Sequence, residues 1–434
     1  AESAMVHRTE LARCYKRQKA KLPMITTPTH LTYCTNIHPG ETWTEVRENL
    51  ERYFLAVRDR VAPGRGFGVG LRLSAEAARA LALPEELSSF KSFLERHNLY
   101  VFTINGFPHG EFHEGRVKEN VYLPDWRDPE RLRYTNELAE ILAALLPAGD
   151  IEGSISSVPG CFKGSIRQDP DDTERSATEM ARQLVTHAAA LRRIEERTGR
   201  VIALALEPEP CCFLETTDEA VDFFQRHLFS RSSAAQFNAI TGVPLASCED
   251  VLRRHLGVCL DTCHAAVEFE EPADAVQKLT SSGIRIPKIQ LSAGLRVASA
   301  SPESLRALAP FAEGVYLHQV VARREGSLTR YVDLPQALAA ASSRDASAEE
   351  WRVHFHVPLF REKLGPFENT QPFLRELLSM QARDPLTAHL EVETYTWDVL
   401  PEEHRGEGVV SAVARELQWV LDRMPAGTVL PSLQ

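Results

Sequence analysis

Eight short apolar runs recur along the chain, alternating with longer stretches of helical period. This alternation restricts the fold more than any other feature. The runs are Leu31–Ile37, Gly66–Leu73, Leu99–Ile104, Ile151–Ser156, Val201–Glu207, Leu256–Asp261, Ile286–Ser292 and Thr387–Tyr395. Apolar residues recur at helical spacing in Thr42–Val61, Ala75–His97, Pro129–Leu146, Asp172–Thr198, Asp218–His227, Cys248–His255, Pro272–Thr280 and Gln371–Met380. Strands alternating with amphipathic helices predict βαβ units and a parallel sheet. Eight of them favour closure into a (β/α)₈ barrel, an architecture that takes a chain of 434 residues as one domain. The expected boundaries are an N-terminal extension over 1–28, the barrel over 29–425 and a tail over 426–434. A last amphipathic helix is expected over Glu407–Arg423.

One stretch departs from the alternation. Residues 296–385 separate the seventh and eighth runs and contain two strand-like pieces, Val315–Val321 and Trp351–Leu359, with a helical piece, Asp333–Ala341, between them. The expectation is an elaborated βα loop over the barrel mouth. The rival is that one of these pieces is itself a barrel strand.

Composition narrows the function classes. A net charge of −11 argues against a nucleic-acid footprint, because phosphate contacts favour a basic surface. No apolar run reaches about 18 residues, so no transmembrane span is expected. Ala1–Lys21 is polar and basic without an apolar core, which argues against a secretory signal. The cysteines form no CxxC pair, and reduced thiols in a cytoplasmic protein are the simplest account. Nothing in the pattern fixes an oligomeric state.

The chemistry should sit where strands end, because barrel active sites form at the C-terminal face. The fifth run closes on Glu207, in Leu-Glu207-Pro-Glu209-Pro. A carboxylate there is costly to bury unless it is paired or metal-bound, and the alternative is a solvated loop residue. The sixth ends Leu-Asp261-Thr-Cys-His264, which can offer carboxylate and imidazole to one cavity or simply cap the next helix. In the seventh, Lys288, Gln290 and Ser292 share a face by alternation, and an amide oxygen suits a hard cation. In the eighth, His389, Glu391, Glu393 and Tyr395 share a face. Two carboxylates facing a barrel interior repel unless a cation or proton lies between them. Spacing alone does not choose between Glu391 and Glu393 as ligand. In the insertion, His354 and His356 form a His-x-His pair of metal-ligand spacing, with His318 and Asp333 nearby in sequence. Softer candidates for ligand contact are Asn36, His38 and Glu41 after the first run, and Asn105, His109 and His113 after the third.

The order Glu207, Asp261-Thr-Cys-His264, Ile-Gln290-Leu-Ser and Glu393-Thr resembles the xylose-isomerase-like superfamily. That group holds sugar isomerases and epimerases and the endonuclease IV type of nuclease. The resemblance implies that Glu207 and Glu393 are metal ligands that also exchange a proton with substrate, and that Asp261 is a ligand. Gln290 would be a fourth ligand where the family's pattern has a histidine. His264 would contact substrate or hold a further metal. More closely, the chain resembles the EboE family of metabolite-traffic proteins, in Leu31-Thr-Tyr-Cys-Thr-Asn-Ile-His-Pro-Gly-Glu-Thr-Trp43, Phe102-Thr-Ile-Asn-Gly-Phe-Pro-His-Gly110, Leu206-Glu-Pro-Glu-Pro210, Val258-Cys-Leu-Asp-Thr-Cys-His264 and Leu390-Glu-Val-Glu-Thr-Tyr-Thr-Trp-Asp-Val-Leu-Pro401. This implies a link to a UbiA-type membrane prenyltransferase and to the trafficking or maturation of secondary-metabolite precursors.

Three functions are therefore expected, in order. The first is a metal-dependent isomerase or epimerase acting on a small polyol, sugar or cyclitol-like metabolite. Glu207, Asp261, Gln290 and Glu393 would hold Mn²⁺, Mg²⁺ or Zn²⁺; Glu207 and Glu393 would move the proton; and His264, His354, His356, His38, Asn105, His109 and Glu391 would contact substrate. The second is a non-catalytic binding or escort protein on the same barrel. The third is a phosphoesterase or nuclease, which would need further metal ligands from His38, His109, His264, His318 and Asp333.

Overall fold

The computed structural model describes residues 28–113, 117–167, 169–406, 408–425 and 429–430. The expected N-terminal extension lies outside the described residues except for residue 28, as does the expected tail apart from 429–430.

Barrel strands form in all eight expected places: β1 (Thr29–Tyr33), β2 (Phe67–Arg72), β3 (Leu99–Asn105), β4 (Gly153–Ser157), β5 (Ile202–Leu206), β6 (Leu256–Asp261), β7 (Arg285–Leu291) and, after the insertion, β14 (His389–Val392). They pair in parallel in the order β1-β14-β7-β6-β5-β4-β3-β2. A short strand, β15 (Val429–Leu430), pairs with the start of β1. The ring closes where Cys34 bridges Gly70. Along the rest of that seam the Thr32 hydroxyl donates to the Gly68 carbonyl at 2.7 Å and accepts the Gly70 N–H at 3.0 Å. A side chain thus supplies bonds that a regular ladder would draw from backbone.

The helices follow from local chemistry. Pro170–Thr198 starts behind Asp169, whose carboxylate accepts the Asp171 N–H, and stops at Gly199 with φ 71°. The expected helix Ala75–His97 is two, Ala75–Leu81 and Pro84–Arg96. Pro84 has no N–H to continue the first helix and holds Leu83 extended, so it begins the second. The last helix is Val409–Leu421; Glu407, in the expected range, lies outside the described residues.

The insertion builds its own antiparallel sheet from β8 (Leu295–Val297), β9 (Val320–Arg324), β10 (Ser327–Tyr331), β11 (Glu350–Val353), β12 (Lys363–Leu364) and β13 (Phe367–Asn369), ordered β10-β9-β11-β8-β13-β12. Neither strand-like piece joins the barrel. Only the end of Val315–Val321 is strand, and Trp351–Leu359 leaves the sheet at Val353. Beyond it the backbone bonds elsewhere, His354 to Gln319 and Val357 to Ala293. The expected helix is Leu334–Ala341, capped by Asp333.

The barrel interior is polar where branched apolar layers are usual. Lys288 and Glu391 form a fully buried ion pair at 2.6 Å. His389 Nδ1 lies 2.8 Å from Ser154 Oγ, which donates to Thr103, and His30 Nδ1 lies 2.8 Å from Tyr100 Oη. All seven cysteines among the described residues are free and buried. No helix among them is long and apolar enough to cross a membrane.

Candidate metal centre

Glu207, Asp261 and Glu393 leave the ends of β5, β6 and β14 and meet at the barrel mouth, with one oxygen from each lying within 4.8 Å of the others. All three are almost wholly buried. Asp261 serves two purposes. Its Oδ1 accepts the His264 N–H at 2.9 Å, capping the short helix Thr262–Val267, and the Ser292 hydroxyl at 2.7 Å. Its Oδ2 has no partner, and neither has Glu207 Oε2. Glu393 Oε1 accepts from Asn36 at 2.8 Å and from Asn105 at 2.9 Å, which fixes its position.

Electrostatics make this cluster unstable alone. Burial pushes the Glu207 carboxyl well up, and the charges of Glu393 and Asp261 push it further. Glu393 is raised in the same way by burial, then Asp261 and Glu391, with Lys288 opposing. Unpaired buried carboxylate oxygens facing one another take up either protons or a cation. Three hard oxygen donors around one point suit a divalent ion, so the residues present fit such a group.

Three histidines stand beside the carboxylates. His264 and His354 bring their Nε2 atoms to 3.0 Å, and His354 and His356 theirs to 3.2 Å. The other nitrogen of each ring faces an acceptor: His264 Nδ1 the Pro208 carbonyl at 3.0 Å, His354 Nδ1 Gln319 Oε1 at 2.7 Å, and His356 Nδ1 the Glu393 carbonyl at 2.8 Å. Those acceptors require protonated Nδ1 atoms, so the neutral rings of His354 and His356 turn their Nε2 lone pairs toward one another. Burial keeps the rings of His354 and His356 neutral, lowering the former well below the usual histidine value and the latter to about 4. Facing lone pairs repel unless a cation or a shared proton lies between them. His264 and His356 also group with Asp261, and His354 and His356 with Cys263.

The remaining expected residues are placed as follows. Gln290 is fully buried and its amide oxygen accepts the Cys259 thiol at 2.8 Å, so the atom expected to ligate is already engaged. Glu391 pairs with Lys288 in the interior rather than facing substrate. Asn105 meets the site through Glu393. His38 does not reach the cleft; it stacks on Tyr53 and its Nε2 contacts Tyr33 Oη at 3.0 Å. His109 packs edge-on against Tyr134 with Nε2 3.3 Å from Glu130. His318 is held between the His354 carbonyl and Glu313, and Asp333 bonds Lys118, so neither adds a ligand.

Above the carboxylates opens a cleft enclosing about 500 Å³, part of it solvent. Its floor includes Glu207, Glu393, His264, His354 and Glu209. Sequence reading did not select Glu209, Tyr122 or Gln319. Glu209 Oε1 accepts from Tyr122 at 2.7 Å and Gln319 at 3.2 Å, a network that ties the β5 end to the insertion. The repeated Glu-Pro of Glu207-Pro-Glu209-Pro was the available signal, but which carboxylate faces what depends on the turn, where Cys211 takes φ 66°.

No protein-family model matches the chain, and no curated protein matches it. Solved structures do. One is the probable 3-DHS dehydratase AsbF of petrobactin synthesis from Bacillus anthracis, 11% identical, over 91% of this chain and 98% of that one, with TM-score 0.45. Another is a xylose isomerase-like TIM barrel protein from Mycobacterium smegmatis in complex with magnesium, 12% identical, over 92% and 96%, TM-score 0.44. A third is the IolI protein with a bound zinc atom, 12% identical, over 92% and 100%, TM-score 0.43. At these identities the likeness is one of fold.

Proposed function

We propose that this chain is a metal-dependent enzyme that shifts a proton on a carbon beside an oxygen-bearing carbon of a small molecule, as isomerases and epimerases do. The observation that carries the reading is the group Glu207, Asp261 and Glu393, buried at the barrel mouth with Glu207 Oε2 and Asp261 Oδ2 unpaired. These three would hold the first divalent ion, and His264, His354 and His356 a second. A bound ion of the Mg²⁺, Mn²⁺ or Zn²⁺ class would polarise a substrate carbonyl or hydroxyl.

The chain's own groups supply the rest. Glu207 and Glu393 come from separated strands and are the carboxylates placed to take a proton and return it. Asn36 and Asn105 hold Glu393 in orientation through its Oε1. His264 and His354 line the cleft, so an ion held by them would face substrate oxygens. The resemblance to EboE proteins supports placing this chemistry in the maturation or movement of a secondary-metabolite precursor, alongside a UbiA-type prenyltransferase.

Elemental mass spectrometry of the purified protein beside a Glu207→Ala/Asp261→Ala variant tests the centre. Stoichiometric metal in the parent, reduced in the folded variant, is expected. A parent that takes up neither Mn²⁺ nor Zn²⁺ refutes the metal reading and leaves a binding or escort protein. Once a substrate is in hand, Glu207→Gln should abolish turnover; full activity in that variant refutes the proton-transfer assignment.

A further inference from the structure

The floor of the cleft is ionic, but its walls are not. Two aromatic faces flank it. On one side Phe107 packs edge-on to Tyr122, centroids 5.9 Å apart. Elsewhere along the lining, Phe112, Tyr316 and Tyr395 form a triangle with centroid separations of 5.2, 5.3 and 5.1 Å. Val117, Val121 and Leu317 fill between them.

Several of the polar side chains on the walls of the cleft are committed elsewhere. Asn36 and Asn105 donate to Glu393, and the Tyr122 hydroxyl donates to Glu209. Lys118, the one cation among the described lining residues, directs its ammonium at the Glu313 carbonyl, the Tyr316 carbonyl and Asp333. Those three acceptors use its three protons. Arg72 lies behind Phe112, and its guanidinium donates to the Gly40 and Gly110 carbonyls and pairs with Glu41.

We infer that the ligand is a small flat molecule with an aromatic or alicyclic, largely apolar body that bears no phosphate or carboxylate, and with neighbouring oxygens on one edge. A polyol carries a hydroxyl on every carbon and loses water at each on entry, while these largely apolar walls return few hydrogen bonds, the Tyr316 and Tyr395 hydroxyls being the wall groups left to offer them. On that body, away from the floor, a phosphate or carboxylate finds no uncommitted cationic side chain among the described lining residues. A flat ring fits between aromatic faces, with its oxygen edge toward the carboxylates and histidines. This narrows the polyol or cyclitol expected from the resemblance. The direction of the oxygen edge rests on the proposed metal centre; the apolar body rests on the walls alone.

The test is calorimetric titration with tropolone, a planar ring bearing adjacent oxygens, with myo-inositol and with inorganic phosphate. It is run on metal-loaded protein freed of excess metal and on chelator-treated protein. Each hydroxyl left without a partner costs about tenfold in affinity, so tropolone should bind more than about 100-fold tighter than myo-inositol in both states. Phe112→Asn should weaken tropolone by about tenfold and Phe112→Leu by less, with thermal melts confirming that both variants fold. Equal or tighter binding of myo-inositol, or of phosphate to the chelator-treated protein, overturns the inference, as does failure of tropolone to bind at all. If metal never loads yet tropolone is still preferred, the metal centre falls and the wall argument stands. If metal loads and the preference is missing, the reverse holds.

Discussion

Replacing Lys288 by Met should destabilise the protein by an amount that depends on pH in a calculable way. Lys288 and Glu391 are both fully buried, 2.6 Å apart in the barrel interior. Burial works against the Lys288 ammonium, yet Glu391, followed by Cys259 and Cys34, more than offsets this and its pKa is raised. Removing one partner of a buried pair commonly costs about 3–5 kcal/mol. Here the orphaned Glu391 has an escape, because burial already raises it from its ordinary value of 4.5 and it can take a proton. Holding that proton when the unfolded chain would release it costs about 1.4 kcal/mol for each pH unit above 4.5. The ceiling is therefore about 3.4 kcal/mol at pH 7 and about 0.7 kcal/mol at pH 5. The sign follows from linkage: a carboxyl whose folded pKa is raised destabilises above its unfolded pKa, and the loss grows with pH up to the folded pKa. Urea unfolding of chelator-treated Lys288→Met at the two pH values reads this directly. Lys288→Met/Glu391→Leu should recover most of the loss and remove the pH slope. A loss under about 1 kcal/mol at pH 7, or one that is equal at both pH values, refutes the reasoning.

Four further outcomes follow from particular contacts. Gly70→Ala would drive a Cβ into Glu391 Oε1 and place it 2.6 Å from the Tyr33 carbonyl, a backbone atom, so urea unfolding should show a loss of about 1–3 kcal/mol or more. Thr32→Val strands the Gly68 carbonyl and the Gly70 N–H at the barrel seam; a loss of about 2–4 kcal/mol is expected, with faster amide exchange at Gly70. Glu195 is held at about 2 by hydrogen bonds from His255 and then Arg254, against burial. Its folded pKa is depressed, so it stabilises above its unfolded value near 4.5 and that contribution is lost as pH falls toward about 2. After discounting for solvent this is about 1 kcal/mol, so Glu195→Gln should flatten the acid limb of a stability–pH curve by that amount. Saturating metal at about 100 times its Kd should raise stability by about 2.7 kcal/mol in the parent and by much less in Glu207→Ala/Asp261→Ala, read as a shift of the thermal melt.

The barrel was legible because most strands carry a short apolar run, are buried on both faces and are punctuated by turn residues. Such runs locate a strand without any knowledge of its neighbours. The splitting of Ala75–His97 was written there too, in Pro84. The carboxylates were legible for a related reason: an acid closing an apolar strand has few places to be except the barrel mouth. Alternation could not separate Glu391 from Glu393, since both point inward. What separates them is depth, and depth is set by register across the ring. Glu391 pairs in register with Gln290 and Thr32, where Lys288 can reach it, while Glu393 stands past the strand end beside Asn36 and Asn105. Gln290 was misleading for the complementary reason, because its face was right but Cys259 on the adjacent strand takes its oxygen.

The histidines and the walls needed more than register. His354 and His356 lie ninety and ninety-two positions beyond His264, on a segment that has already left its strand. Their convergence depends on the insertion folding back across the mouth. The same is true of Tyr316 and Leu317, which meet Phe107 and Phe112 from a loop after β3. One insertion therefore supplies two of the three histidines beside the carboxylates and part of the apolar wall above them. Chemistry and selectivity are coupled through that segment. Loosening its Lys118–Asp333 tether by Asp333→Asn should weaken tropolone binding and metal retention together, measured on one sample. A change in one without the other would show that the segment acts on wall and floor separately.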